Sequence, residues 1–406
     1  MSGAGSLRLA VPILCVLVLS APGAWAQRPR PTLDPQQLQE PRRAPLMLTP
    51  SLGFEEEFND NILLNNEDQR WDFITRFRPG LTLEAEEPRW RVAGAYSFAA
   101  QLYARHPHLS RAFDAHDLAL DALYRATPHV TLTLTDTFAF STNTNLVAPE
   151  GVATGRADAW SNGLAGGVAW DLDRRSTLRG NGSWTTQRFD RPSLRDSDVW
   201  RGDVEVDRAL GPQVRGALGY ELAFFDIDGE PDVTAHTPRV GLTYRFTEHL
   251  TGTLSGGPTF EVREDDTRIT PAVRAGLTQR VAWGVLGLDI TRGVGTAGGL
   301  GGTTVNESVG GLVRLTTLGK GLSLEFGPRY SSVESHDDDI DVESFTLPIT
   351  VAYRFTPWLA LAATYAFFHQ RSDSTPTTSA GTFVANDVDQ NRLAVGLTVG
   401  YPVRFD

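Results

Sequence analysis

Residues 393–405 read Leu393-Ala394-Val395-Gly396-Leu397-Thr398-Val399-Gly400-Tyr401-Pro402-Val403-Arg404-Phe405. Every odd position is branched or aromatic, and every even position is small, polar or charged. A period of two places alternate side chains on opposite faces of an extended strand, so this strand separates an apolar environment from a different one. The same rhythm runs upstream. Residues 345–355 carry Phe345, Leu347, Ile349, Val351, Tyr353 and Phe355 on odd positions. Residues 129–141 carry Val130, Leu132, Leu134, Phe138 and Phe140 on even positions, between Thr131, Thr133, Thr135 and Thr137. In 72–85 the apolar set is Phe73, Phe77, Leu81, Leu83 and Ala85, opposed by Asp72, Arg76, Arg78 and Glu84. Helical periodicity fits poorly anywhere after residue 46.

The connections alternate in kind. Tight turns fall near Glu86-Glu87-Pro88, Thr127-Pro128, Asp173-Arg174-Arg175, Gly211-Pro212, Thr247-Glu248, Ala282-Trp283, Gly319-Lys320-Gly321 and Thr356-Pro357. Longer polar links lie near 59–70, 104–112, 142–156, 187–197, 226–236, 262–267, 293–306, 332–342 and 371–389. Such a count predicts about 18 antiparallel strands with both ends on the short-turn side. A hairpin frame recurs: Tyr244-Arg-Phe-Thr-Glu-His-Leu parallels Tyr353-Arg-Phe-Thr-Pro-Trp-Leu and Tyr124-Arg-Ala-Thr-Pro-His-Val. Tyr124, Phe246, Tyr353, Phe355, Tyr401 and Phe405 sit beside short turns on the apolar parity; Phe140, Trp184, Phe224, Phe260, Tyr330 and Phe367 sit beside long links. Two aromatic belts one membrane apart suit a lipid-embedded wall, whereas a soluble sandwich or propeller buries aromatics in mid-strand. The expected fold is an all-β, transmembrane, antiparallel up-and-down barrel over 46–406, with short periplasmic turns and long extracellular loops.

Composition narrows the class further. The 406 residues carry a formal charge of −12, pI about 5.2 and mean hydropathy −0.22. That acidity disfavours nucleic-acid binding, and the recurrent aromatic and branched residues exclude disorder. Outside the N-terminus no apolar run is long enough for a membrane helix. Arg8, the apolar stretch Leu9 to Ser20 and Ala24-Trp25-Ala26 predict a signal peptide over 1–26, with Gln27 the new N-terminus. Cys15, the sole cysteine, lies inside that stretch after bulky Leu14, which argues against lipidation and leaves no disulfide framework. Residues 27–45, rich in proline, are expected to form an extended periplasmic leader.

If the apolar parity meets lipid, the other lines the lumen. Arg91, Arg125, Arg179, Arg215, Arg245, Arg280, Arg354 and Arg404 take lumen parity near the short-turn end. As a charged ring they would attract anionic substrate. As a ladder they would pair with Asp117, Asp121, Glu205, Glu221 or Glu325 and stiffen the wall. The acidic stretches Glu334–Glu343 and Glu264-Asp-Asp266 lack EF-hand spacing and read as solvated loops, so no metal or other cofactor is expected. No nucleophile elbow, phosphate-cradling loop or zinc-binding helix is present. His106, His108, His129, His236, His249 and His336 fall in turns or links, and His116 and His369 take apolar parity without a serine motif. Catalysis is not expected.

Two resemblances sharpen this reading. Thr398-Val399-Gly400-Tyr401-Pro402-Val403-Arg404-Phe405 resembles the C-terminal signal that outer-membrane barrels present to their assembly machinery, except that Asp406 follows the aromatic residue. Gly53-Phe54-Glu-Glu-Glu-Phe58-Asn59-Asp60-Asn61-Ile62, then Asp72-Phe73 and Arg78-Pro79-Gly80-Leu81, is similar to barrels encoded with exopolysaccharide and capsule systems, including exosortase-linked ones. The match covers about the first thirty barrel residues. It implies a conduit for exopolysaccharide in the outer membrane of a Gram-negative bacterium, surrounded by lipid and lipopolysaccharide and fed by a periplasmic export component. A general diffusion porin for small solutes is the alternative, because a barrel of this width suits either. A barrel hydrolase using His116 or His369 is the third.

Overall fold

The computed structural model describes residues 46–405, apart from 148–150, 264–265, 320, 336–338, 374–376, 379–380 and 383–386. The expected signal peptide, the leader, Lys320, Asp406 and the centres of both acidic stretches lie outside the described residues.

Eighteen antiparallel strands close into one barrel. In chain order they are β1 (Leu46–Asn59), β2 (Asp72–Glu87), β3 (Trp90–Tyr103), β4 (Arg111–Thr127), β5 (Val130–Asn143), β6 (Arg156–Asp171), β7 (Ser176–Phe189), β8 (Ser197–Ala209) and β9 (Val214–Ile227). Then come β10 (Val233–Arg245), β11 (Leu250–Val262), β12 (Thr267–Val281), β13 (Gly284–Thr296) and β14 (Thr303–Gly319). Strand β15 consists of Leu322–Phe326 and Arg329–Ser335, β16 is Asp341–Thr356, β17 is Leu359–Ser372, and β18 consists of Val388–Gly400 and Val403–Phe405. Gly327-Pro328 interrupts β15 without shifting its register: Val313 faces Phe326 and Gly310 faces Arg329. Proline has no amide hydrogen for the ladder, which explains the break.

The wall is inverted relative to a soluble protein. Leu52, Phe54, Leu132, Leu134, Val204, Leu218, Val240, Leu254, Leu288, Val395 and Leu397 are all exposed on the outward parity. So large and continuous an apolar surface needs lipid to cover it. The opposite parity buries Glu57, Arg76, Gln101, Asp114, Glu221 and Glu261. Trp170, Phe246, Trp283, Tyr353, Phe355 and Tyr401 ring the short-turn end on the outside, the last 68% exposed. Pairs such as Phe138–Trp160, Trp200–Phe224 and Phe345–Phe367 ring the long-link end.

The recurrent hairpin frame has a local cause. Thr247 Oγ1 accepts from the His249 and Leu250 amides at 3.2 and 2.9 Å; Thr127 Oγ1 accepts from His129 at 3.2 Å and Thr356 Oγ1 from Trp358 at 3.3 Å. A hydroxyl that satisfies the amide two residues on closes the turn itself. The aromatic residues of the frame pack beside it: Tyr244 and Phe246 lie edge to face at 4.7 Å, and Tyr353 and Phe355 at 4.9 Å. In the turn after β6, Asp173 does the same work by accepting from the Arg175 and Ser176 amides at 2.6 and 2.9 Å. The Arg175 amide foremost holds the Asp173 carboxyl below its ordinary range.

Closure joins β1 to β18 over Ser51–Asn59 against Gly400–Arg392, and continues at Leu46, Met47 and Leu48 against Phe405, Arg404 and Val403. The Phe58-Asn59-Asp60-Asn61-Ile62 element fastens this seam. On the lumen side the Gln390 amide donates to Asn59 Oδ1 at 3.2 Å and to the Asn61 carbonyl at 2.8 Å. Asn61 in turn donates to the Asp389 carbonyl at 2.9 Å. On the outer side both carboxylate oxygens of Asp60 accept from Asn391, from its backbone and its side-chain amide, at 2.7 Å each. We expect Gln390→Ala, which leaves buried acceptors unpaired, to destabilise the folded barrel by about 1–3 kcal/mol. The check is urea unfolding in lipid vesicles followed by the heat-dependent gel shift. An unchanged midpoint would separate the seam from Gln390.

Candidate functional site: the barrel interior

The polar parity places charged side chains from successive strands at neighbouring heights inside the barrel. Near the seam, Arg76 on β2 donates to Glu57 at 2.6 and 3.0 Å and to Glu55 at 2.9 Å, both on β1. Its Nε also lies 3.4 Å from Gln101 Oε1, and Gln101 continues to Asp114 on β4 at 3.2 Å. Replacing Arg76 by an apolar residue would strand two inward carboxylates, a loss of about 3–5 kcal/mol for a buried pair broken on one side. Around the wall, Arg78 lies 3.8 Å from Asp117, Arg314 donates to Glu325 at 2.9 Å and Arg329 to Asp289 at 2.9 Å. Glu221 on β9 receives three guanidiniums, from Arg201, Arg239 and Arg274, at 3.4, 3.0 and 3.2 Å.

The eight arginines singled out from sequence all reach the lumen parity, and they divide. Arg179 is bound to Asp207 and lies 3.7 Å from Glu205, so it belongs to the ladder rather than to a free ring. Arg91, Arg125, Arg215, Arg245, Arg280, Arg354 and Arg404 form no ion pair with another described residue. Asp121, an expected ladder partner, likewise has none among the described residues. The ladder is therefore built mainly by arginines higher in the wall, which sequence parity did not distinguish from those at the mouth. The unpaired seven lie within a few residues of the short turns, three of them in the repeated Tyr-Arg-x-Thr frame. Close ion pairs hold the arginines along the wall; at this mouth these seven form none among the described residues, and Glu86 stands opposite Arg91 in the register.

At the opposite end, the links after β1, β5 and β13 fold inward and meet, and the link after β7 joins them, Arg191 donating to the Thr154 carbonyl and the Arg195 amide to the Gly299 carbonyl at 2.8 Å each. Thr144 Oγ1 donates to the Gly155 carbonyl at 2.9 Å and accepts from the Thr154 amide at 2.9 Å, pinching the base of the link after β5. Its tip crosses to β17. The Ala153 amide donates to Gln370 Oε1 at 2.7 Å, and Gln370 Nε2 donates back to the Ala153 carbonyl at 2.8 Å. Both residues are 0% exposed. Gln370 thus pairs with one residue of chain as a neighbouring strand would. Ala153 packs with Leu64, Phe368 and Val388, and Val152 packs with Ala297, Leu300, Val333, Ile340 and Val342. Leu64 belongs to the first link and Ala297 and Leu300 to the link after β13. Gly299 in that link has φ +93°, and a β-carbon there would stand 2.9 Å from the Phe189 ring, so only glycine fits. No pattern in the sequence pointed to this convergence; the links read only as polar and flexible.

The histidine expectations change in one place. His236 lies within β10 rather than in a link, with Nδ1 2.6 Å from the Tyr220 hydroxyl. His116 Nδ1 lies 2.9 Å from the Tyr96 hydroxyl, and His369 Nδ1 lies 2.6 Å from Asp389 Oδ1. These are caps on the outward aromatic belt, and no serine or threonine hydroxyl is hydrogen-bonded to either ring among the described residues. The described residues contain no group of three metal-ligating side chains.

No family model and no curated protein matches the sequence. Among solved structures the chain is similar to the OpdO protein of Pseudomonas aeruginosa, with 14% identity over 87% of this chain and 97% of that one, TM-score 0.44. It is similar also to OccAB4 of Acinetobacter baumannii (11% identity, 89% and 99%, TM-score 0.44) and to OccK2 (OpdF) of P. aeruginosa (11%, 87% and 98%, TM-score 0.45). Likeness at this level transfers no residue role and no substrate.

We expect Gln370→Ala to free the link after β5, making it at least tenfold more rapidly cut by added protease while the barrel stays folded by its heat-dependent gel shift. An unchanged cutting rate would mean that the crossing does not hold the link.

Proposed function

We propose that this protein is an outer-membrane diffusion channel for small solutes, with preference for anions. The observation that carries the reading is the convergence of inward links inside a closed, polar-lined barrel. A hydrated path narrowed in this way suits solutes of modest size, because exclusion by width and weak charge contacts gives selectivity without tight binding. The seven arginines without a close ion pair among the described residues put positive charge at the short-turn mouth of the lumen. In this reading the short turns face the periplasm and the long links the exterior. Lipid and lipopolysaccharide surround the wall, and the aromatic C-terminal strand is what the assembly machinery engages.

The exopolysaccharide conduit implied by the sequence resemblance draws less support. Three of the residues that carry the resemblance, Asn59, Asp60 and Asn61, are engaged in the barrel seam, and a polymer would need the convergent links displaced. The chain's interior residues act here by charge and shape alone, so no bond-making step is assigned to them.

Purified protein in a planar bilayer with a salt gradient tests the channel. The wild type is expected to conduct with a reversal potential on the anion side. Changing Arg245, Arg280 and Arg354 together to glutamate should move it toward cation preference with little loss of folded protein. Absence of conductance from folded protein would overturn the channel, and an unmoved reversal potential would remove the arginine mouth from selectivity. Deleting the gene should leave surface polysaccharide unchanged; its loss, restored by complementation, would favour the conduit.

A further inference from the structure

The ladder between β12 and β13 runs only from Val281–Gly284 to Val273–Arg292. Strand β12 continues for another six residues, Thr267 to Ala272, paired to β11 on its other edge and to no strand on the β13 side. Strand β13 meanwhile stays with β14 to the Thr296–Thr303 pair. The two strands therefore part, and the β13 end bends inward. Its Val294 packs on the lumen faces of β8 to β10, against Val199, Ala223, Phe225, Val233 and Ala235. The Val294 carbonyl accepts from Arg201 at 3.0 Å. Above the gap, Arg263 reaches across to Thr303 Oγ1 at 2.8 Å. The result is a framed window in the wall. Pro271, with no amide hydrogen to leave unpaired, stands in its edge.

The window opens at a telling height. Ile269, opposite Phe260 in the register, is 66% exposed at the outer aromatic belt. Unpaired backbone is not tolerated against hydrocarbon but is tolerated beside a water-filled cavity. Such a cavity lies directly behind. Ala272, Val273, Gly293 and Val294 line it toward the window, and Arg201, Arg239 and Arg274 line it toward the lumen. Its free volume of ≈ 40 Å³ is enough for a few waters or one carboxylate. Three guanidiniums share the Glu221 carboxylate there; Asp203, opposite Glu221 on β8, bonds Asn181 at 3.0 Å, and Arg292 at the window's foot pairs with Glu307. The Arg239 side chain is 9% exposed, and its Nε, fully buried, has no partner.

We propose that this window is a lateral port for a single-chain anionic amphiphile, whose carboxylate sits on the Arg239–Arg274 side of the cavity while its alkyl chain leaves through the wall beside Ile269. The proposal rests on the channel reading for the lumen route, but the site itself is measurable at equilibrium. The port would let an acid that enters the lumen partition into the outer leaflet, or the reverse, without passing the convergent links.

The test uses the full-length protein in lipid vesicles. Binding of dodecanoate is compared with that of dodecanol, by titration against tryptophan fluorescence. The carboxylate is expected to bind at least tenfold more tightly, and Arg239→Gln, verified as folded by its heat-dependent gel shift, to erase that difference. Transfer of dodecanoate into the bilayer is then followed in an Ala272→Cys/Gly293→Cys variant. Gly293 has open space where a β-carbon would stand. Oxidation should stop transfer, reduction should restore it, and ion conductance should stay constant through both. Equal binding of acid and alcohol, or survival of the difference in folded Arg239→Gln, would overturn the site. Transfer that is indifferent to the formed cross-link would overturn the port. Loss of conductance alone would strike the channel reading and leave the port standing.

Discussion

In hydrocarbon an unpaired peptide group has no water to turn to, and this single constraint organises the molecule. A flat sheet of these strands would carry two bare edges; joining β1 to β18 removes both. The closing pair is the one that no hairpin turn enforces, since its strands are the most distant in the chain. It is also where polar side chains are spent most heavily, on both faces of the wall. Asn59 and Asn61 with Gln390 fasten it inside, and Asp60 with Asn391 fastens it outside. Once closure holds, the apolar parity must face out and the polar parity in, and every lumen contact follows from that assignment.

Inside, charge is arranged by height. Along the wall, arginine and carboxylate meet between strands one to three apart, and the sides are tied together. Glu221 draws guanidiniums from three strands, and Arg76 ties two carboxylates of β1 to Gln101 on β3. Near the short turns Arg179 keeps Asp207 as its partner, while the other seven arginines form no close ion pair among the described residues.

The strand pattern was legible because a barrel wall separates two solvents over its whole area, so alternation is enforced on every strand. Turn positions were legible because Thr127, Thr247 and Thr356 satisfy their own turns locally. Pairing among lumen residues was not. Parity gives the face of Arg179 but not that Asp207 lies beside it, since that depends on the stagger between β7 and β8. The crossing of Ala153 to Gln370 spans more than two hundred positions, and glutamine in an alternating strand looks like any lumen residue. The parting of β12 from β13 had only Pro271 and a glycine-rich link as traces, and both also suit an ordinary loop. His236 was misplaced because its strand is entered sooner after the Asp228–Gly229 turn than the polar composition suggests.

The Tyr-Arg-x-Thr turn has a consequence for how such a molecule arises. Each of these three hairpins carries its own hinge and its own inward arginine, and two of them carry their own packed ring pair. A copied or deleted hairpin therefore brings a complete unit, and the circumference can change two strands at a time without redesign of the remainder. The resemblance among residues 124–130, 244–250 and 353–359 is what descent from one ancestral unit would leave behind. The closing seam, with its dedicated side chains, is the part that such growth must spare.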